Sequence, residues 1–234
     1  KNSNEPISEH LREFPRLDVF YLGFVSSRPP FDDPKVRRAF LMATDREELL
    51  ANAVDEDAIL ANGFLPPGLP GYNVRPPIRF DPQEARKLLA QSKYGGPSGL
   101  PPIIYITPGQ GTPSDIVMGL VEMWSANLGV TVQVRLVEPS QYYYGLDRIV
   151  ENIFDYGWIA DYPDPQNFLD VLFYSKADNN VGGYSSQAVD SLLEQARVVE
   201  SNDERFEAYK QVEDILVGDA AAIPLRFGSI HMLV

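Results

Sequence analysis

The chain has 234 residues, 44% of them hydrophobic and 11% aromatic, enough to bury a substantial core and to exclude intrinsic disorder. Twenty Lys+Arg against 33 Asp+Glu leave a formal net charge of −13, which argues against nucleic acid or anionic lipid as a partner. There are no cysteines and only two histidines, His10 and His231 near the chain ends; thiol nucleophiles and disulfides are excluded, and a Ser-His-Asp triad or His-rich metal site would have to be built from those ends.

No apolar run approaches the ~20 residues of a membrane-spanning helix. A polar stretch, residues 1–10, precedes a β-rich apolar run from Leu17 to Val25. Asp33-Pro34 sets a helix start, with Val36, Ala39, Phe40 and Ala43 as its apolar stripe. Thr44-Asp45-Arg46-Glu47 reads as a capping box for a second helix. A Pro/Gly-rich loop spans residues 63–77, and Asp81-Pro82 opens a short helix through Leu89.

Pro102 to Thr107 predicts a buried strand, and Ser114 starts a helix that Gly129 ends. Val130 to Val137 alternates as a strand does, and a Tyr-rich helix follows near 140–150. A strand around 153–158, helices near 165–174, 186–200 and 203–217, and a terminal apolar run from Ile223 complete the pattern. Strands alternating with helices indicate an α/β fold. An apolar strand at the very C-terminus leaves an unpaired edge, so the expectation is one lobe of a longer protein, with strands at 17–27 and 223–234 leading to the remainder.

Charge is uneven along the chain. Residues 1–100 carry 13 basic and 14 acidic side chains, and residues 101–234 carry 7 and 19. The acidic half reads as a solvated surface, or as one favouring a ligand that brings positive charge.

Three constellations bear on chemistry. Gly109-Gln110-Gly111 follows a strand and opens a helix, but Ser114 stands where a dinucleotide fingerprint needs its third glycine, so a cofactor is rejected. Asp155, Asp161, Asp164 and Asp170 invite a glycosidase reading or a calcium loop, and the latter lacks its glycine and bidentate Glu. Tyr142-Tyr143-Tyr144 reads either as a helix face or, with Trp158, Tyr162 and Tyr184, as the wall of an aromatic pocket.

Gly157-Trp158-Ile159-Ala160-Asp161-Tyr162-Pro163-Asp164-Pro165-Gln166-Asn167-Phe168 places an acid and two aromatics at a strand-to-helix junction, where the carboxylate is an N-cap or a ligand anchor. This segment resembles the W-x-x-D-Y-x-D-P-x-x-F signature of the family 5 extracellular solute-binding proteins, the peptide receptors of ABC importers. Pro30-Phe31-Asp32 through Phe40, followed by Ala43-Thr44-Asp45-Arg46-Glu47, is similar to that family's PF-D-x-x-VR-A and A-x-DR-x pattern. Tyr21 to Phe24, Gly183-Tyr184-Ser185 with Val189-Asp190, and Ile223-Pro224-Leu225 resemble further blocks in the same order.

The resemblance implies a periplasmic-binding-protein type II-like lobe, a mixed sheet flanked by helices, comprising a leading segment (1–16), a crossing strand (17–27), the ligand-binding lobe (28–222) and a return crossing strand (223–234). It implies a non-enzymatic receptor outside the cytoplasm, in the periplasm or lipid-anchored on the outer face of the cell membrane. That receptor captures di- to oligopeptides with a missing N-terminal lobe and delivers them to an ABC permease, with no cofactor. By resemblance Asp161 meets the ligand's α-ammonium and Trp158 forms a wall. Tyr142 and Arg148 supply an aromatic wall and a partner for the ligand's carboxylate, and Tyr162, Asn180 and Tyr184 line the site. A sugar or nickel chelate on the same fold, or a glycoside-acting enzyme using Asp155 to Asp170, remains open.

Overall fold

A computed structural model describes residues 11–51 and 58–233. Residues 1–10, with His10 and most of the expected leading segment, and Val234 lie outside the described residues. In chain order the elements are β1 (Leu11–Pro15), β2 (Asp18–Phe24), α1 (Pro34–Met42), α2 (Arg46–Ala51), β3 (Ile59–Leu60), α3 (Pro82–Ala90), β4 (Ile103–Pro108), α4 (Asp115–Leu128), β5 (Val132–Val137), α5 (Pro139–Ile149), β6 (Ile153–Ile159), α6 (Gln166–Phe173), α7 (Gln187–Ala196), α8 (Asn202–Gly218), β7 (Ala222–Phe227) and β8 (Ser229–Leu233).

Local chemistry starts and stops these elements where the sequence indicates. Asp33 and Asp81 cap α1 and α3, accepting from the Lys35 N–H at 2.8 Å and the Glu84 N–H at 2.9 Å. Ser114 caps α4, and Gly129 ends it in the left-handed region at φ 70°. The box expected at Thr44 shifts by one residue: Asp45 accepts from the Glu48 N–H at 3.0 Å. Thr44 is committed elsewhere, donating to the Phe40 carbonyl at 2.8 Å and accepting from the Trp124 indole at 2.9 Å.

Six strands form one mixed sheet in the order β3-β7-β2-β6-β4-β5. β4 runs parallel to both β5 and β6, while β2 is antiparallel to β6 and β7. The mixed α/β sheet flanked by helices is thus as expected. Period two in β2 divides the core: Leu22 and Phe24 pack with α1, α3 and α4, while Val19 and Tyr21 pack with α6, α7 and α8. On the first face Phe24 stacks on Phe31 at 4.4 Å, and Phe31 and Trp124 each meet Phe40 at 5.1 Å.

The two terminal apolar runs have different neighbours. β2 lies inside the sheet, between β7 and β6. The run from Ile223 divides at Gly228 into β7, in the same sheet, and β8, which pairs antiparallel with β1 in a separate two-stranded ribbon. Buried Asp18 fixes the division: it is paired with Arg16 and accepts from the Gly228 N–H at 2.6 Å. A Cβ at position 228 would stand 2.9 Å from that carboxylate, so glycine is what fits.

Candidate functional site

β4 and β6 pair only through Tyr105 with Ile153 and Ile106 with Phe154. β6 continues alongside β2 as far as Ile159 and β4 ends at Pro108, so in this register residues 157–159 run past β4 with one edge uncovered by a strand. The Asp155 carbonyl points to that edge and accepts from the Tyr142 hydroxyl at 2.7 Å. On the opposite edge the Ala160 N–H donates to the Leu17 carbonyl at 2.8 Å. With a strand's period of two, the backbone groups of Gly157 and Ile159 face the open edge with that of Asp155.

An open cleft of about 690 Å³ lies against this edge. Tyr142, Tyr143 and Tyr144 of α5 form one wall, Asp155 through Ile159 the floor, and Phe20 and Arg226 part of the opposite side. α5 presents its tyrosines in two ways. Tyr142 is buried, whereas Tyr143 and Tyr144 are exposed. Gly157 leaves the floor low, and a Cβ there would meet the Phe20 ring at 2.8 Å. Phe20 is in turn covered by the Arg226 guanidinium, 4.1 Å above the ring.

Asp155 is the carboxylate of the floor. Tyr105, wholly buried, donates its hydroxyl to it at 2.6 Å. Burial raises the Asp155 pKa above the ordinary carboxylate value of 3.8, opposed by hydrogen bonds from Thr107 and Tyr105. Burial likewise raises the Tyr142 and Tyr156 hydroxyls, so both remain neutral donors.

Of the seven residues expected at the site, the fold brings Tyr142 and Trp158 to the cleft. Trp158 and Asp161 are tied to one buried residue of α6, Asn167, whose Oδ1 accepts from the Trp158 indole and the Asp161 N–H, each at 3.0 Å. The Asp161 side chain itself is exposed. Tyr162, 43% exposed, donates to Gln166. Arg148 is exposed on α5 and lies 3.8 Å from Asp147. Asn180 staples a turn, donating to the Tyr174 and Tyr184 carbonyls and accepting from the Tyr184 N–H. Tyr184 is buried and donates to Asp219 at 2.9 Å. These last five do not line the cleft.

Of the carboxylates weighed for glycoside chemistry, Asp164 and Asp170 serve separate structural ends. Asp164 accepts from the Gln166 N–H at 2.9 Å and pairs with Arg205. Asp170 takes a two-pronged bond from Arg197 at 2.9 and 2.6 Å. Among the described residues no group of acids and histidines could hold a metal ion, and no helix is long and apolar enough to cross a membrane. Residues to which sequence reasoning gave no part are Phe20, Tyr156, Gly157 and Asn167. Asn167 stands inside the signature segment, beside Gln166 at the start of α6, and nothing local marks its side chain as a clamp.

A model of the bacterial extracellular solute-binding proteins, family 5 Middle, matches residues 1–180. The periplasmic oligopeptide-binding protein OppA of Salmonella typhimurium is 28% identical over 94% of this chain and 41% of its own length. Heme-binding protein A of Haemophilus influenzae is also 28% identical, over 89% of this chain and 39% of its own. The solved structure of the periplasmic binding protein DppA from Helicobacter pylori in complex with peptide STSA has a TM-score of 0.83 at 24% identity, covering 96% of this chain and 45% of that one. At that identity the likeness concerns the fold. The chain spans about two fifths of the length of the curated relatives it matches.

Proposed function

Because the chain belongs to the bacterial extracellular solute-binding proteins of family 5, binding proteins rather than enzymes, we propose that it is one lobe of a two-lobe receptor that captures di- to oligopeptides outside the cytoplasm for an ABC permease. The observation that carries this reading is the open edge of β6 over residues 157–159, lying in an aromatic-walled cleft. An extended peptide satisfies its main-chain groups by adding to such an edge, whatever its side chains, and the cleft beside the edge accepts alternate side chains. Gly157 keeps the approach to that edge free of a side chain.

Asp161 is assigned the ligand's α-ammonium, as an exposed carboxylate that becomes desolvated when a second lobe closes over it. A charge pair is strong only once water is excluded. Asn167 acts through Asp161 and Trp158, fixing both to α6. Arg148 is assigned the ligand's carboxylate, and Tyr142 holds the β6 edge in place. Tyr162 belongs to the rim, while Asn180 and Tyr184 act at a distance by shaping the loop that carries Asp178 and Asn179. The β1–β8 ribbon is the route by which the lobe joins its partner, and closure about it is stabilised by contacts made only in the closed state.

The test is calorimetric titration of the full-length receptor containing this chain with di- to hexapeptides. Asp161→Ala is expected to lose roughly 2–5 kcal/mol of peptide affinity; an unchanged affinity removes the ammonium anchor. A second reading, a non-peptide solute, rests on the heme-binding relative being as similar as the oligopeptide-binding one. It gains if peptides fail to bind and heme, sugar or metal chelate does.

A further inference from the structure

We infer that the cleft sorts a ligand's side chains by sheet face: a peptide added to the β6 edge places the side chain opposite Trp158 in an aromatic bay and its two neighbours on a charged face. The receptor then favours peptides with an aromatic or large apolar residue at that one position. This rests on the peptide reading above and narrows it to a substrate class.

The strand register divides the cleft. In the β2–β6 pairing Val19 lies opposite Trp158 and Tyr21 opposite Tyr156, whereas Phe20 lies opposite Gly157 and Leu22 opposite Asp155. Residues directly opposite share a face, and successive residues alternate. One face therefore carries the rings of Tyr156 and Trp158, packed against the core built with α6, α7 and α8. Tyr142 joins Tyr156 on that face, beside Phe154. The other face carries Asp155, Gly157 and the Phe20 ring under the Arg226 guanidinium. Both faces line the one cleft.

The two faces offer different chemistry. The Trp158 indole N–H is committed to Asn167, the Tyr142 hydroxyl to the Asp155 carbonyl, and the Tyr156 hydroxyl to Asn179 at 3.4 Å. With those polar handles in use, the rings offer apolar surface. Exposed Tyr143, edge-on to Tyr142 at 5.7 Å, extends the wall. An aromatic or large aliphatic side chain entering this bay buries its surface against rings. On the opposite face the same side chain would lie against the Asp155 carboxylate and the Arg226 guanidinium, groups whose loss of water is costly.

A peptide hydrogen-bonded to Gly157 and Ile159 obeys the same alternation, whichever way it runs. Its residue opposite Trp158 points into the bay, and those opposite Gly157 and Ile159 point away from it. The uncovered edge spans 157–159, so selection falls on one position, and the residues next to it in the peptide are excluded from the bay.

The experiment is calorimetric titration of the full-length receptor with Ala-Ala-Ala-Ala and with the four tetrapeptides that carry one phenylalanine among three alanines. Those four share one composition, so overall hydrophobicity cancels. One of them is expected to bind about tenfold more tightly than tetraalanine, and the isomers next to it within about twofold of tetraalanine. Trp158→Ala is expected to bring the favoured isomer within about twofold of tetraalanine as well. Equal gains at adjacent positions, no gain at any position, or a preference that survives Trp158→Ala overturns the inference while leaving the peptide reading intact. Should Trp158→Ala fail to fold, the wild-type scan and Tyr143→Ala, at an exposed position, decide. In Tyr143→Ala the preference is expected to fall about threefold, and an unaltered preference counts against the bay. If none of the five peptides binds, the peptide reading fails and the inference falls with it.

Discussion

Asp155 shows how one side chain couples the site to stability. Its neighbours are Tyr105 and Thr107 of β4 and, on its own carbonyl, Tyr142 of α5, none of them cationic. Burial therefore raises its pKa above 3.8 in the folded protein. A carboxyl whose folded pKa exceeds its unfolded one favours the fold at low pH, and that contribution is lost as pH rises from about 3.8 through the folded value. Asp155→Asn removes the titration. Its melting temperature is expected to exceed that of wild type at neutral pH. The advantage should vanish once the pH falls below the ordinary carboxylate value. A melting curve across pH checks this, and a constant difference at all pH values would contradict the burial argument. Asn167 teaches a complementary lesson: a neutral amide, fully buried, ties Trp158 of the cleft and the backbone of Asp161 together through one oxygen.

At the scale of elements, α6 holds Trp158 of the cleft through Asn167 and is itself anchored. Arg197, at the C-terminal end of α7, reaches Asp170 of α6 with two bonds and covers the Tyr174 ring at 4.2 Å. Asp170 is buried, so removing the arginine leaves a carboxylate without its partner. Arg197→Ala is expected to destabilise the fold by about 1.5–3 kcal/mol, read from the urea midpoint, and α6 is the element that carries Asn167. The pairing of β6 is the other decisive element. Had β4 matched β6 along its full length, the edge at Gly157 would be filled and main-chain recognition of a peptide would have no strand to join. Here β4 stops at Pro108 and the cleft opens beyond it.

At the scale of the whole molecule, two helical layers hold the sheet rigid while the site stays on one exposed end of it. The cleft is open, and half of its contacts in the proposed receptor come from elsewhere. Ordering a flexible peptide on one wall costs entropy that a single set of contacts offsets poorly. The isolated 234-residue chain is therefore expected to bind peptides at least about 100-fold more weakly than the two-lobe receptor. Titrating both with the same tripeptide checks it, and sub-micromolar binding by the isolated chain would show that closure contributes little.

Much of this was legible before any tertiary structure. Caps at Asp33, Asp81 and Ser114, the glycine stop at Gly129 and the alternation of β2 are local codes, set by hydrogen bonds and periodicity within a few residues. The order of strands and helices, and hence the α/β class, follows from them, and the family motifs point to the strand-to-helix junction at Asp161. Other features were decided only by packing. Thr44 lost its capping role because Trp124, 80 positions away, claimed its hydroxyl. The terminal run broke at Gly228 because Asp18 stands beside it. The partial overlap of β4 and β6, the burial of Tyr142 beside the exposed Tyr143 and Tyr144, and the burial of Asp155 all depend on which strand lies next to which. Local sequence sets the conformation of each segment; long-range pairing decides which edges and charges are left for a ligand, because those are whatever the core does not consume.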